Sequence, residues 1–302
     1  MSAAITISGL KKVYSNGFEA LKGIDLVVEQ GDFFALLGPN GAGKSTTIGI
    51  LCGLTNKTEG QVQIGGHSID ANPMAAKLQL GVVPQEFNFS IFEPCIQIVV
   101  NQAGYYGVPK AVAEKRADAL FAQLGLTEKR NVAAGKLSGG LKRRLMIARA
   151  LVHQPKILIL DEPTAGVDIS LRRSMWTFLE ALNKEGMTII LTTHYLEEAE
   201  SLCKKIAIID QGTIIQNTTI SALLNQLNSE TFVLYLSAPV SGLSLPGYGV
   251  VQTDAQTFEV EVNRDQTLTD LMSHLTALGI VVDRVKNKSN RLEELFIKLV
   301  KA

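Results

Sequence analysis

The octapeptide Gly38-Pro39-Asn40-Gly41-Ala42-Gly43-Lys44-Ser45 fits the spacing GxxxxGK[ST], whose chemistry is the holding of phosphate. Glycines let successive backbone N–H groups turn inward around phosphate oxygens, and a helix opening behind them adds the partial positive charge of its N-terminus. In such a cradle the Lys44 ammonium reaches the β- and γ-phosphates of a nucleotide, and the Ser45 hydroxyl can ligate Mg²⁺. Further along, Ile157-Leu158-Ile159-Leu160-Asp161-Glu162 is an apolar run delivering two consecutive carboxylates. Neighbouring side chains on a strand point opposite ways, so the two acids can divide the work. Asp161 suits the shell of Mg²⁺, and Glu162 suits a base that polarises water for attack on a γ-phosphate. An Asp-Glu pair after a strand is ordinarily a solvated turn; the cradle upstream is what gives this pair a second meaning. Between the two lies Leu137-Ser138-Gly139-Gly140-Leu141, a serine and two glycines opening the basic, apolar-periodic stretch Lys142 to Val152. That makes a second anion-binding helix start on one polypeptide, where one nucleotide needs only one.

These groups need elements to position them. The continuous apolar run Phe33 to Leu37 ends at Gly38 and reads as a buried strand, and Ser45 to Leu54 has helix-compatible composition, so the cradle sits between strand and helix. Two more buried strands, Ile157 to Leu160 and Thr188 to Thr192, each follow a helical stretch. This alternation predicts an α/β core with a parallel-rich sheet and crossover helices. From Met74 to about Ala150 the composition turns helical, with apolar positions three and four apart in Ala111 to Leu124, which predicts a helical insertion. Past Ile220 the character changes. Thr231 to Leu236 and Thr257 to Val262 read as strands, Leu268 to Leu278 as a helix, and prolines and glycines crowd Pro239 to Gly249. The expectation is a main domain over 1–220, with a helical subdomain at about 86–150, and a small α+β domain over 221–302.

At 302 residues, 46% hydrophobic and 19% charged, the chain has the usage of a folded globular protein rather than a disordered, collagen-like or coiled-coil one. Lysine plus arginine and aspartate plus glutamate both total 29, so no net field draws it to nucleic acid or an anionic membrane. Cys52, Cys95 and Cys203 lack the CxxC spacing of a zinc or redox site and suggest a reducing compartment. The N-terminus lacks the basic and apolar regions of a signal peptide, and no stretch approaches the roughly 18 apolar residues of a membrane span. The chain is therefore expected neither to cross a membrane nor to be secreted.

Taken in order, the cradle, Gln85, the LSGG of Leu137 to Gly140, the ILILDEP of Ile157 to Pro163, Asp168 and His194 resemble the ATP-binding subunit of an ABC transporter. The resemblance covers roughly residues 5 to 220, and the joint order is far more specific than any single motif. It implies a P-loop NTPase of the ABC ATPase fold that uses ATP and Mg²⁺. In that family two subunits pair head to tail, which implies a homodimer in which Ser138, Gly139 and Gly140 of one chain grip the γ-phosphate held by Lys44 of the other. The position after them, commonly glutamine, is Leu141 here, which removes one side-chain hydrogen bond and leaves the helix-end donors. The resemblance makes Gly38 to Ser45 and Thr46 nucleotide-binding, and Ser45, Gln85 and Asp161 the Mg²⁺ ligands. Gln85 resembles the residue that senses the metal and the attacking water while connecting to the membrane partner. His194, in Thr192-Thr193-His194, resembles the switch histidine that bonds the γ-phosphate. Asp168, in Ala165-Gly166-Val167-Asp168, resembles an acid that crosses the dimer interface; its ordinary alternative is a turn cap. Tyr14 sits where the family stacks an aromatic on adenine, and packing within an N-terminal strand is its alternative. His67, His153 and His274 acquire no role.

Three phenylalanines fall in the loop Glu86 to Pro94, directly after Gln85. They either fill the helical subdomain's own core or, as the resemblance implies, receive the coupling helix of a transmembrane subunit. Lys142, Arg143 and Arg144 read as a solvated helix face. The last eighty residues carry no chemistry, but the ending Arg291-Leu292-Glu293-Glu294-Leu295-Phe296 resembles the close of ATPases from ABC-2-type exporters. The resulting expectation is a cytoplasmic ATPase, peripheral on the membrane through a separate ABC-2-type permease, with no direct nucleic-acid partner. The competing readings are an importer ATPase and a soluble ABC-type ATPase acting on nucleic acid or ribosomes. The latter would need coiled-coil arms or two cassettes per chain, and this sequence has neither.

Overall fold

The computed structural model describes every residue except Met1, Ala165, Gly166, Leu227, Asn228, Ser289, Asn290 and Ala302; the side chains of Arg291, Glu294, Lys298 and Lys301 also lie outside the description. Ala165 and Gly166 of the segment leading to Asp168, and the Arg291 and Glu294 side chains of the closing pattern, are thus not described. Two compact units follow one another along the chain, dividing between Thr218 and Thr219.

In the first unit β1 (Ala3–Val13) and β2 (Glu19–Glu29) precede β3 (Phe33–Leu37) and α1 (Lys44–Leu51). After β4 (Glu59–Ile64), β5 (His67–Ser68) and α2 (Pro73–Leu78) comes β6 (Leu80–Val83). Three helices follow, α3 (Cys95–Tyr105), α4 (Lys110–Gln123) and α5 (Gly139–Leu151). The unit closes with β7 (Ile157–Asp161), α6 (Ile169–Lys184), β8 (Thr188–Thr192), α7 (Leu196–Leu202), β9 (Lys205–Asp210) and β10 (Thr213–Thr219). A six-stranded sheet has the order β10-β9-β3-β8-β7-β6, and its β9-β3-β8-β7-β6 pairings are parallel. Its central strands are sealed on both faces: β3 and β8 are buried at all five positions, as parallel strands between covering layers must be.

A second, four-stranded sheet, β2-β1-β4-β5, is antiparallel. Its strands alternate buried and exposed positions, and its inner face joins α1 and one face of the six-stranded sheet in a single core containing Ile7, Leu26, Val62, Ile48, Phe34 and Ile159. Within the first unit the sequence reading gave bounds only to the continuously apolar strands, and this sheet was not predicted. The helical insertion also needs correcting at its start: β6, inside the stretch expected to be helical from Met74, pairs with β7 at the sheet edge. Four residues are too few to show a period, and helices flank them on both sides. Helices α3, α4 and α5 pack on one another, and α5 also lies against β6.

The second unit contains α8 (Ile220–Leu224), β11 (Ser229–Leu236), β12 (Gly249–Gln252), β13 (Thr257–Asn263), α9 (Leu268–Ala277), β14 (Val282–Asn287) and α10 (Arg291–Lys301). Its antiparallel sheet has the order β12-β13-β11-β14. Leu234, Phe258 and Val260 pack with Leu271 and Leu275 of α9 to form its core, and α9 opens with a reciprocal Thr267–Asp270 capping box.

Candidate functional site

Beyond β3 the backbone turns through Gly38 to Gly43 into α1. Two positions admit only glycine. A Cβ on Gly38 would run into the Ile209 carbonyl of β9, and Gly43 combines φ of 116° with a Cβ position 2.8 Å from Leu21 Cδ2 and 2.9 Å from the Ala20 carbonyl. The loop is thereby fixed between β9 and β2. Lys44 Nζ lies across it, donating to the carbonyls of Gly38 at 2.6 Å and Pro39 at 3.0 Å. Burial lowers the Lys44 pKa from its ordinary value, with Glu162 and Asp161 acting against that shift. Thr47, fully buried, anchors the first turn of α1 by donating to the Gly43 carbonyl at 2.9 Å.

Strand β7 brings the acids opposite. Ile157 and Ile159 face the core that holds α1, so Asp161, two residues on, emerges on the side of Ser45. Its Oδ1 accepts from the hydroxyl of Thr192 at the end of β8. Glu162 has the left-handed φ of 47° and is held there because its N–H donates to the Thr192 carbonyl at 3.0 Å. One oxygen, Glu162 Oε2, collects both remaining partners: the Gln85 amide donates to it at 2.9 Å, and His194 Nδ1 stands 3.3 Å away. A cavity of about 620 Å³ is lined by Asn40, Gly41, Gly43, Lys44, Ser45, Thr46, Gln85, Asp161, Glu162 and His194, together with Phe18 and Ala20. Gly38, Pro39 and Ala42 shape the loop from behind.

The remaining candidates stand outside this cavity. Tyr14 is not part of its wall; the Tyr14 hydroxyl is 3.2 Å from Thr46 Oγ1, and its ring lies near-parallel to Phe18 at 6.5 Å with Lys12 Nζ 4.8 Å from its centroid. Phe18, more than half exposed, is the aromatic that faces the cavity. Asp168 caps α6, accepting from the Leu171 N–H at 2.9 Å. Ser138 caps α5, its hydroxyl accepting from the Leu141 N–H at 3.4 Å. Ser138 and Gly139 are exposed, and among the described residues a Cβ on Gly139 would meet nothing within 4 Å. A Cβ on Gly140, by contrast, would collide with Leu171 Cδ2.

Arg143 corrects the reading of a solvated basic face. It is 3% exposed and donates to the carbonyls of Pro84 at 2.8 Å and Gln85 at 2.9 Å, fastening the Gln85 loop to α5. Arg144 likewise donates to the Leu124 carbonyl and to Ser174 Oγ. Of the three loop phenylalanines none is buried: Phe92 is 83% exposed, Phe87 44%, and Phe89 half-buried, with the Arg143 guanidinium 5.1 Å from the Phe87 ring and that of Arg149 6.0 Å from Phe89. They do not fill the core of α3, α4 and α5. Sequence reasoning missed Phe18, Thr192 and Arg143. Thr192 had a signal in its place at the end of a buried strand two residues before His194; the other two had none without their tertiary neighbours.

A loop of phosphate-facing backbone on one wall and a carboxylate able to polarise water on the other are what a P-loop nucleoside triphosphatase requires, and this fold and cavity define that class. Comparison with known proteins goes further. Residues 21–165 match the family model described as ABC transporter. The chain is 35% identical over 302 aligned residues, 96% of both chains, to the linearmycin resistance ATP-binding protein LnrL of Bacillus subtilis. It is 34% identical to the Nod factor export ATP-binding protein I of Ralstonia nicotianae, over 98% of this chain and 93% of that one. Among solved structures it is similar to cbiO1 of Clostridium perfringens, part of an ABC transporter complex, with TM-score 0.68 and 30% identity over 75% of this chain and 92% of that one. A dimeric ATP-binding cassette in a post-hydrolysis state with ADP and Pi gives TM-score 0.66 and 27% identity over 72% and 98%. The chain belongs to the ATP-binding proteins of ABC transporters, and it binds and hydrolyses ATP. Among the described residues no helix is long and apolar enough to cross a membrane.

Proposed function

We propose that this chain acts as a head-to-tail homodimer around two Mg·ATP and powers export through a separate membrane-spanning permease of ABC-2 type, working from the cytoplasmic face. The observation that carries the dimer is the contrast between its two glycine-rich helix starts. The start of α1 lines the cavity, whereas Ser138 and Gly139 are exposed, absent from that wall, and among the described residues no neighbour requires Gly139 to be glycine. A second copy's γ-phosphate gives them a purpose. Export is supported by the relatives named for linearmycin resistance and Nod factor export, whose likeness extends into the second unit. Phe92, Phe87 and the half-exposed Ile91 supply an apolar surface beside Gln85 for the permease.

In this reading Lys44 and the backbone of Gly41 to Thr46 hold the β- and γ-phosphates, and Phe18 joins Tyr14 at the base. The Ser45 hydroxyl, the Asp161 carboxylate and the Gln85 amide oxygen are all oxygen donors at one cavity, the set a small hard cation takes. Among the described residues no group of three or more His, Cys, Asp or Glu offers an all-protein cage, which fits Mg²⁺ shared with the phosphates. When bound, Mg²⁺ neutralises charge on the β- and γ-oxygens. Glu162 takes a proton from water as the water oxygen bonds to the γ-phosphorus and the bond to the bridging oxygen breaks, releasing ADP and inorganic phosphate. Gln85 and His194 aim that carboxylate by sharing its Oε2.

The test is Glu162→Gln in the full-length chain. Turnover falls by about 10²- to 10⁴-fold, the range of general-base removal, and with ATP the variant elutes from a sizing column at twice the wild-type monomer mass. Unchanged turnover, or a variant that stays monomeric in ATP, rejects the proposal.

A further inference from the structure

Glu198 is a carboxylate that the mechanism above does not use, and it is fully buried. It lies in the first turn of α7, and its two oxygens reach three other pieces of the chain. Oε2 accepts from Thr164 Oγ1 at 3.2 Å, two residues after Glu162. Oε1 accepts from Trp176 Nε1 at 3.0 Å, on the helix that Asp168 caps. The Thr193 hydroxyl, next to His194, bears on the same carboxylate and also accepts from the Tyr195 N–H at 3.0 Å. Arg172 completes the surroundings. Its guanidinium lies 4.5 Å from the Tyr195 ring, which packs against His194 at 4.1 Å; its buried Nε has no hydrogen-bond partner among the described residues, and its charge favours the ionised form of Glu198.

We propose that Glu198 is a positioning residue: by holding Thr164, Trp176 and the Thr193 segment at once, it keeps Glu162 and His194 in register across the cavity. The proposal rests on the catalytic roles given above to Glu162 and His194. The segments carrying those two residues come from different strands, β7 and β8, whose pairing ends at Asp161 and Thr192. Beyond that point the Glu162 N–H still bonds to the Thr192 carbonyl, and Glu198 then ties the two segments together through Thr164 on one and Thr193 on the other. A carboxylate suits the task because it accepts from several donors at once and donates to none. Burial raises its pKa from the ordinary value, while the bonds from Thr193, Trp176 and Thr164 and the charge of Arg172 oppose that shift.

The experiment uses Glu198→Gln, which keeps the volume and turns one acceptor into a donor facing donors. Because misplacement of a catalytic group by about 1 Å costs on the order of 100-fold, kcat falls by about 10- to 100-fold while the ATP KM moves less than about twofold. The emission maximum of Trp176, the chain's one tryptophan, shifts as its indole loses the carboxylate. In Glu162→Gln/Glu198→Gln the losses are not additive, since the second residue acts through the first. Should Glu198→Gln fail to fold, Thr164→Val and Trp176→Phe each remove one donor and are expected to lower kcat by a smaller factor at constant KM. Wild-type kcat in a folded Glu198→Gln, additive losses in the double variant, or a drop confined to KM overturns the proposal. Glu162→Gln measured alone separates the two claims: full activity there removes the base assignment whatever Glu198 does.

Discussion

The start of α1 and the start of α5 are built from the same materials and are held to them by different neighbours. At α1 the chain itself forbids a side chain, because Gly38 abuts the Ile209 carbonyl and Gly43 is wedged against Leu21 and Ala20. At α5 the two glycines divide. Gly140 is required by Leu171 of α6, whereas a Cβ on Gly139 would meet no described atom within 4 Å. A free Cβ position alone says little, since Gly104 in α3 has one too; at Gly139 it matters because the glycine opens a capped helix beside Ser138.

Gly139→Val gives the largest expected effect and the sharpest way to break this comparison. The fold should accept it, with a melting temperature close to wild type. Turnover should fall by about 10²- to 10³-fold, the usual loss when a donor to developing phosphate charge is displaced, with ATP binding to the isolated chain unchanged. Wild-type turnover would leave the start of α5 without an outside partner. Gly140→Val acts the other way: Leu171 must move, at a cost of about 1–3 kcal/mol seen in denaturant unfolding. Adding Leu171→Ala to that variant recovers part of the loss, and failure to recover any would show that the crowding lies elsewhere.

The smallest effect sits just beyond the far end of α5. The His153 ring stacks on Tyr106 with centroids 3.6 Å apart, and its Nε2 is 2.9 Å from the Leu80 carbonyl. Burial lowers its pKa below the ordinary 6.5, with the Leu80 bond opposing and Arg116 assisting. The unfolded chain therefore takes up this proton first, so the stability tied to neutral His153 is present above about pH 6.5 and is lost as pH falls through the folded value. Unfolding midpoints should drop on acidification below pH 6.5, and the slope should flatten in His153→Phe. An equal slope in both would place the acid sensitivity in other groups.

The parts legible in the sequence were those whose pattern is local. Runs such as Phe33–Leu37 and Thr188–Thr192 are apolar at nearly every position because both faces are covered, and a single stretch of chain records that. Strands β1 and β2 record less: register shifts near Leu10 and Lys11 break their alternation, and lysines occupy the outward positions. The residues from Asn40 to Thr46 and the pair Asp161-Glu162 are contiguous, so spacing alone placed them together. Arg143 is one of three consecutive basic residues, and nothing local separates it from the other two. Only the carbonyls of Pro84 and Gln85, nearly sixty residues earlier, do so. Phe18 escaped notice for the same reason, since its significance lies in facing Thr46 and Glu162 across a gap.

The Arg143 clamp also joins two distant-looking places through one side chain. Ser138 sits five residues before Arg143, about 7.5 Å along the axis of a stiff helix, and the Gln85 loop with its exposed phenylalanines is bolted to that helix by two hydrogen bonds. A load placed on Phe87 from outside therefore has a path to the tip of α5 through the Pro84 and Gln85 carbonyls and Arg143.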